Sequence, residues 1–223
     1  MLTRDAQRHT ARAVRAPRMS APARRRQLIR TAMRLFSRRG FAGTTTREIA
    51  ANAGVTEAVI FQHFASKEEL YAAIIDFKAD ESRADVWIEE MRACGARNDD
   101  AGVVRTLVQR FLDQGSSDPQ FLRLMLHSAL EGHGLFRHVR VKQIEPVFAF
   151  LVAYVGRRQR EGEFRSGDPR TMVHALVAVP NHYVLQEQLF QIADRERTAD
   201  VAEELTHFVL AGLRRRASSA KRA

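Results

Sequence analysis

The sequence predicts an all-α protein, a small three-helix head followed by a larger helical body. Three observations predict it. Apolar residues recur at spacings of three and four along most of the chain, which is the period of a helix with one buried stripe. No run alternates with a period of two, as a half-buried strand would. Glycines and Ser/Thr-x-x-Glu pairs interrupt the pattern at helix-length intervals.

The elements follow in order. Residues 1–20 carry Arg4, Arg8, Arg12, Arg15 and Arg18 among small and polar residues. They read as a basic arm, and a DNA-touching role and a merely solubilising one both stay open. Pro17 and Pro22 are expected to interrupt any helix there. From Arg24 the residues Leu28, Ile29, Ala32, Leu35 and Phe36 form the first apolar stripe, and Gly40 is its stop. Thr45 and Glu48 make a capping box that opens a second helix, with Ile49, Ala50 and Ala53 buried and Gly54 as its end. Thr56 opens a third, with Ile60 and Phe64 on the inner side. Ser66 and Glu69 form another capping box before a fourth helix through Leu70, Tyr71, Ile74 and Ile75.

Helices with turns between them account for the rest. Turns are expected at 95–102, 115–119, 132–134, 162–169 and 193–195. Pro180 falls inside one apolar pattern and should kink or open that helix. The expected organisation is a basic arm (1–20), a DNA-binding head (21–70), a ligand-binding and dimerisation body (71–213) and a basic tail (214–223).

Charge is distributed unevenly. Residues 1–47 hold 13 arginines and one acid, Asp5, for a net of +12. Residues 48–213 are net −7, and the last ten residues add five basic groups. A basic head on an acidic body points to a polyanionic partner at one end. Charge alone leaves nucleic acid and an anionic membrane both open. No apolar run approaches the roughly 20 residues of a membrane helix, and the N-terminal arginines precede no apolar signal core. A cytoplasmic protein is expected. The one cysteine, Cys94, excludes a disulfide framework and a Cys-rich metal site.

The 46–64 segment separates nucleic acid from membrane. It reads as helix, glycine turn, helix, the arrangement whose second helix can enter a major groove. Glu57, Ala58, Val59, Gln62 and His63 point away from the Ile60–Phe64 stripe. Ala58 and Val59 are small enough to touch thymine methyls, and Gln62 can hydrogen-bond base edges. Glu57 can accept from a cytosine amine or simply favour the helix N-terminus.

The stretch from RRRQLIRTAMRLF through GFAGTTTREIAANAGVTEAVIFQHF to SKEELYAAII resembles the N-terminal domain of TetR/AcrR-type transcriptional regulators. A-x-x-L-F before a Gly-Phe turn, T-T-x-R-E-I-A, A-G-V-T, an aromatic-x-H-F segment and S-K-E-E-L occur in order. The body resembles the family weakly, in Leu-Glu-Gly at 130–132 and Gly-Glu-Phe at 162–164. The resemblance implies DNA contacts from Thr46, Arg47, Thr56, His63 and Lys67 beside the helix-three residues. Arg47 matches a position that reaches guanine or phosphate, and Thr46, His63 and Lys67 match backbone contacts. Many members carry a tyrosine where this chain has Phe61, so that phosphate contact is lost; Phe61 stays among the candidate DNA-binding residues by position, and the competing expectation is that it only packs.

The resemblance also implies a repressor with a small-molecule effector, and a homodimer formed through the last two helices. The wide apolar faces of those helices agree with the dimer: Leu176, Val177, Tyr183, Leu185 and Phe190 on one, Leu205, Phe208, Val209 and Leu213 on the other. Candidate ligand contacts are Phe111, Phe121, Met125, His127, Phe148 and Met172, with Asn181, His182 and Tyr183 beside Pro180. An ordinary core is the competing reading of these side chains. An apolar or amphipathic effector is expected. The spacing of His127, His133 and His138 gives no helical metal pair, and no metal or other cofactor is expected.

Other classes fare worse. There is no G-x-S-x-G, Gly-rich phosphate loop or H-E-x-x-H, so no enzyme is expected. The basic arm lacks the apolar face of a membrane-surface helix. The alternative that survives is a non-specific DNA-binding protein with a structural body, which would not need a pocket.

Overall fold

A computed structural model of the chain describes residues 19–82, 84–132, 140–192 and 201–215. The basic arm, the 193–195 turn, His133, His138 and most of the basic tail lie outside them. The described residues form ten α-helices and no strands. The head holds α1 (Ala21–Arg39), α2 (Thr46–Ala53) and α3 (Glu57–His63). Helix α4 (Lys67–Ser82) leads into α5 (Ala84–Ala96), α6 (Asp100–Ser117) and α7 (Pro119–Leu130). A π-helical turn, Arg140–Ile144, opens α8 (Glu145–Arg160). Helix α9 (Pro169–Leu185) ends in a second π-helical turn, Gln186–Phe190, and α10 (Val201–Leu213) is the last.

Local signals set most boundaries. Helix α1 begins at Ala21, before the expected Arg24, with Ser20 as its N-cap. Pro22 does not interrupt it. It lies in the first turn, where no backbone N–H needs an intrahelical partner. The Thr45–Glu48 capping box is complete, with side chain and backbone bonded both ways. Gly54 closes α2 in the left-handed region at φ 68°, ψ 35°. The Ser66–Glu69 pair is a variant: Ser66 Oγ accepts from the Glu69 N–H, while the carboxylate reaches back to the Ala65 N–H.

Pro180 is buried inside α9, which runs five residues beyond it. The change of helical type comes later, at Gln186. One expectation about a breaker is corrected. Gly115 marks no turn but lies within α6, where a Cβ would overlap Val184 of α9. The glycine lets the two helices approach closely. The α6–α7 corner is made instead by Asp118, which caps α7 by accepting from the Phe121 N–H.

The buried apolar residues fall into two clusters. One joins α1–α4 around Leu28, Phe36, Ile49, Ile60, Phe64 and Ile74, and takes in Phe121 and Leu124 of α7. It continues past residue 70 through Tyr71, Ala73, Ile74 and Ile75 of α4. The second fills the body around Met91, Leu107, Leu151, Val173 and Leu210. Inside the body, Arg158 pairs with both oxygens of Asp100 at 2.8 and 3.0 Å, and the Tyr154 hydroxyl donates to the same carboxylate.

A candidate nucleic-acid interface

Helices α2 and α3 present one outward surface. Ile60 and Phe64 are fully buried, which fixes the rotation of α3. Thr56, Ala58, Phe61 and Gln62 are then exposed, with Glu57, Val59 and His63 half-buried beside them. Small and amide side chains on an exposed helix face suit close approach to base edges.

The structure places the remaining expected residues differently from one another. Arg47 is exposed on the first turn of α2. The Thr46 hydroxyl donates to the Glu57 carboxylate, so these two groups are joined rather than independent. Lys67 does not extend as a free cation. Its Nζ donates to the Phe41 carbonyl at 2.6 Å and lies 4.0 Å from the centre of the Phe41 ring. Burial pulls the Lys67 ammonium below the ordinary lysine value, against the pull of Glu68 and Glu131. Phe61 is 50% exposed, which corrects the expectation that it only packs. Its ring stands beside Gln62 on the outward face.

Sequence reasoning missed a second basic surface. Arg26, Arg30, Arg34 and Arg38 repeat every four residues along α1, and all four are exposed. Arg30 has Glu81 at 3.9 Å. No other member has a carboxylate within salt-bridge distance among the described residues. The four-residue period was visible in the sequence and is the signal that would have found it. Arg25 stacks over Phe64 at 4.7 Å, at the end of α3.

The expected ligand contacts do not come together. Phe121 and Met125 belong to the head core, whereas Phe111, Phe148 and Met172 belong to the body core. His127 of α7 lies near Gly40 in the head. His182 is exposed and meets Gln186 at 2.9 Å, and Asn181 and Tyr183 are half-buried. Of these side chains, Phe121 also lines a cleft between head and body. This cleft of about 570 Å³ lies where α1, α4, α6 and α7 meet. Its floor is Met33 and Phe121, and its rim carries Lys78, Glu81, Arg110, Asp113 and Asp118. Lys78 bridges Glu81 at 2.6 Å and Asp118 at 2.5 Å. Burial lowers its pKa, but the hydrogen bonds it donates to Asp118 and Glu81 outweigh that and hold the ammonium above its ordinary value. No cluster of three potential metal ligands occurs among the described residues.

The expected dimer face divides as well. Leu176, Val209 and Leu213 are buried within the chain, while Phe190 and Phe208 project into solvent. The α9 and α10 helices therefore keep exposed aromatic rings after satisfying their own core.

An all-helical body carrying a helix-turn-helix head with a solvent-facing second helix is an arrangement suited to major-groove binding. Comparison with known proteins narrows the class. The family described as bacterial regulatory proteins, tetR family, matches residues 28–74. The matched residues run from α1 through α2 and α3 into α4. The nucleoid occlusion factor SlmA of Klebsiella pneumoniae is 29% identical over 160 residues, covering 70% of this chain and 75% of that protein. The HTH-type transcriptional regulator RutR of Escherichia coli strain K12 is 24% identical over 161 residues, covering 72% and 74%. The crystal structure of AibR with isovaleryl coenzyme A and operator DNA superposes with a TM-score of 0.58 at 19% identity, covering 85% of this chain and 97% of that one. The hemolysin II regulator HlyIIR gives a TM-score of 0.64 at 17% identity, covering 88% and 99%. At these identities the solved structures establish the shared fold. No helix among the described residues is long and apolar enough to cross a membrane.

Proposed function

We propose that this protein is a dimeric, sequence-specific DNA-binding transcriptional regulator, a repressor that a small amphipathic effector releases from its operator. One observation carries the reading. The buried Ile60–Phe64 pair turns Ala58, Phe61 and Gln62 outward on a short helix within the family-matched segment. Two such heads on a dimer read two half-sites of a pseudo-palindrome in the major groove. Exposed Phe190 and Phe208 on the last helices supply apolar surface for the dimer.

The cleft between α1, α4, α6 and α7 is the candidate effector site. Its apolar floor and charged rim suit an amphipathic molecule, and its volume falls in the usual range for small-molecule sites. It touches head and body at once, so a ligand there can bind one head orientation better than another. Only such differential affinity releases DNA. AibR, a structural neighbour, has been crystallised with both an acyl coenzyme A and operator DNA, which supports pairing the two activities in this fold.

Selection of duplexes from a randomised pool tests the reading. A two-fold repeat should be enriched, and the Gln62→Ala variant should relax the preference at one position of each half-site. A pool that stays random would overturn it.

A further inference from the structure

A polar contact joins the body to the turn between α1 and α2. The Phe41 N–H donates to Glu131 Oε2 at 3.0 Å, across 90 residues of sequence. Glu131 follows directly on α7, and Phe41 lies in the turn between α1 and α2. Gly40, at φ 70°, leaves room for this approach, because a Cβ there would overlap Glu131 Oε1 and crowd His127 Nδ1. The opposite end of the same peptide unit's residue is also held. The Phe41 carbonyl accepts from Lys67 Nζ at 2.6 Å, and the Phe41 ring lies 5.0 Å from the Tyr71 ring. Tyr71 in turn directs its hydroxyl toward the buried Ser128 of α7. Leu124, Ser128 and Glu131 occupy one face of α7 at helical spacing, and the first two are fully buried.

We propose that Glu131, although it belongs to the body, is a positioning residue for DNA recognition: by holding the Phe41 amide it sets the α1–α2 turn, and with it Lys67 and the start of α2, in the orientation the paired reading heads need. The inference rests on the regulator reading above. A head tilted relative to its body changes the separation of two reading helices in a dimer. Specific binding needs that separation, whereas non-specific binding to phosphates does not. Glu131 acts through Phe41 and touches no base.

The test compares Glu131→Ala with Glu131→Gln in the full-length protein. The glutamine keeps a carbonyl oxygen that can accept from the Phe41 amide. Affinities are measured for a duplex enriched from the randomised pool and for a scrambled duplex. Loss of a hydrogen bond to a charged acceptor should weaken binding of Glu131→Ala to the enriched duplex by about tenfold. Binding to the scrambled duplex should be unchanged, and Glu131→Gln should restore specific binding. Equal weakening of both duplexes, equal loss in both variants, or unchanged specific binding in Glu131→Ala would each overturn the proposal. Hydrogen exchange of the Phe41 amide provides a DNA-free arm. Exchange should accelerate in Glu131→Ala and stay protected in Glu131→Gln; unchanged protection in Glu131→Ala overturns the contact. If no duplex is enriched, the regulator reading fails instead, and the exchange arm alone decides whether Glu131 holds the turn.

Discussion

The Thr46 hydroxyl donates to the Glu57 carboxylate, tying the first residue of α2 to the first residue of α3. The bond crosses the Gly54 turn and ties the two helices together at their N-terminal ends. It also occupies one carboxylate oxygen of Glu57, beside the exposed Ala58, Phe61 and Gln62 of the proposed reading face. Thr46→Val keeps the shape and removes the donor. We expect operator affinity to fall by about 1–2 kcal/mol, with thermal stability little changed. Fluorescence anisotropy with a labelled duplex checks this, and wild-type affinity in Thr46→Val would show that the bond does not organise the surface.

The capping box of α2 predicts a pH dependence. The Thr45 backbone and side-chain hydrogen bonds, with Arg39 nearby, hold the Glu48 carboxyl below its ordinary value of 4.5. A depressed folded value means that the contribution is present above the unfolded pKa and is lost as pH falls through the folded one. Thr45→Ala should cost about 1 kcal/mol at neutral pH, the usual effect of losing a cap. The deficit should shrink in acid below pH 4.5. Urea unfolding at several pH values measures it, and a pH-independent deficit would assign the loss to something other than Glu48.

The body depends on a buried ion pair. Arg158 and Asp100 are each about nine-tenths buried and bonded through two oxygens. Asp100→Ala leaves two buried Arg158 donors and the Tyr154 hydroxyl without their acceptor, with only Glu161 still paired to the guanidinium at 2.5 Å, and should destabilise the fold by about 3 kcal/mol. Replacing both with apolar residues of similar volume should cost much less. Thermal unfolding of the two variants gives the comparison.

Salt dependence separates the basic surfaces. The Phe41 carbonyl takes one Lys67 N–H and leaves two that can donate to a phosphate, so Lys67→Ala should reduce the slope of log affinity against log salt by about one unit. The Arg26, Arg34 and Arg38 side chains lie exposed along α1 without carboxylate partners among the described residues. Their joint replacement by glutamine should weaken binding to all duplexes similarly while leaving the preferred sequence intact. A changed preference would place the α1 stripe in base recognition.

How much of this the sequence showed depended on the range of each interaction. The head was legible because its signals are local: the Thr45–Glu48 box, Gly54, and the Ile60–Phe64 spacing each act within one helical turn. Pro22 and Gly115 were misread because a breaker's meaning depends on position. A proline is harmless in a first turn, and a mid-helix glycine can serve a neighbouring helix. The site was less legible. Lys67 turns inward to Phe41, and Glu131 reaches the same residue from 90 positions away. No periodicity encodes such a contact. The aromatic residues expected to line a pocket divide between two cores, whereas the cleft is rimmed by charged side chains that read in sequence as ordinary helix surface.

The most direct test is a footprint on the DNA flanking the protein's own gene, at physiological salt with excess competitor DNA. Sequence-specific recognition by paired heads predicts a protected pseudo-palindrome that survives the competitor, because specific sites typically bind at least 10³-fold more tightly than non-specific ones. Specific binding to a distant operator would leave that DNA bare while the randomised pool still enriches a repeat. Protection that the competitor abolishes, together with a pool that stays random, would contradict the account and leave the basic head as an electrostatic grip alone.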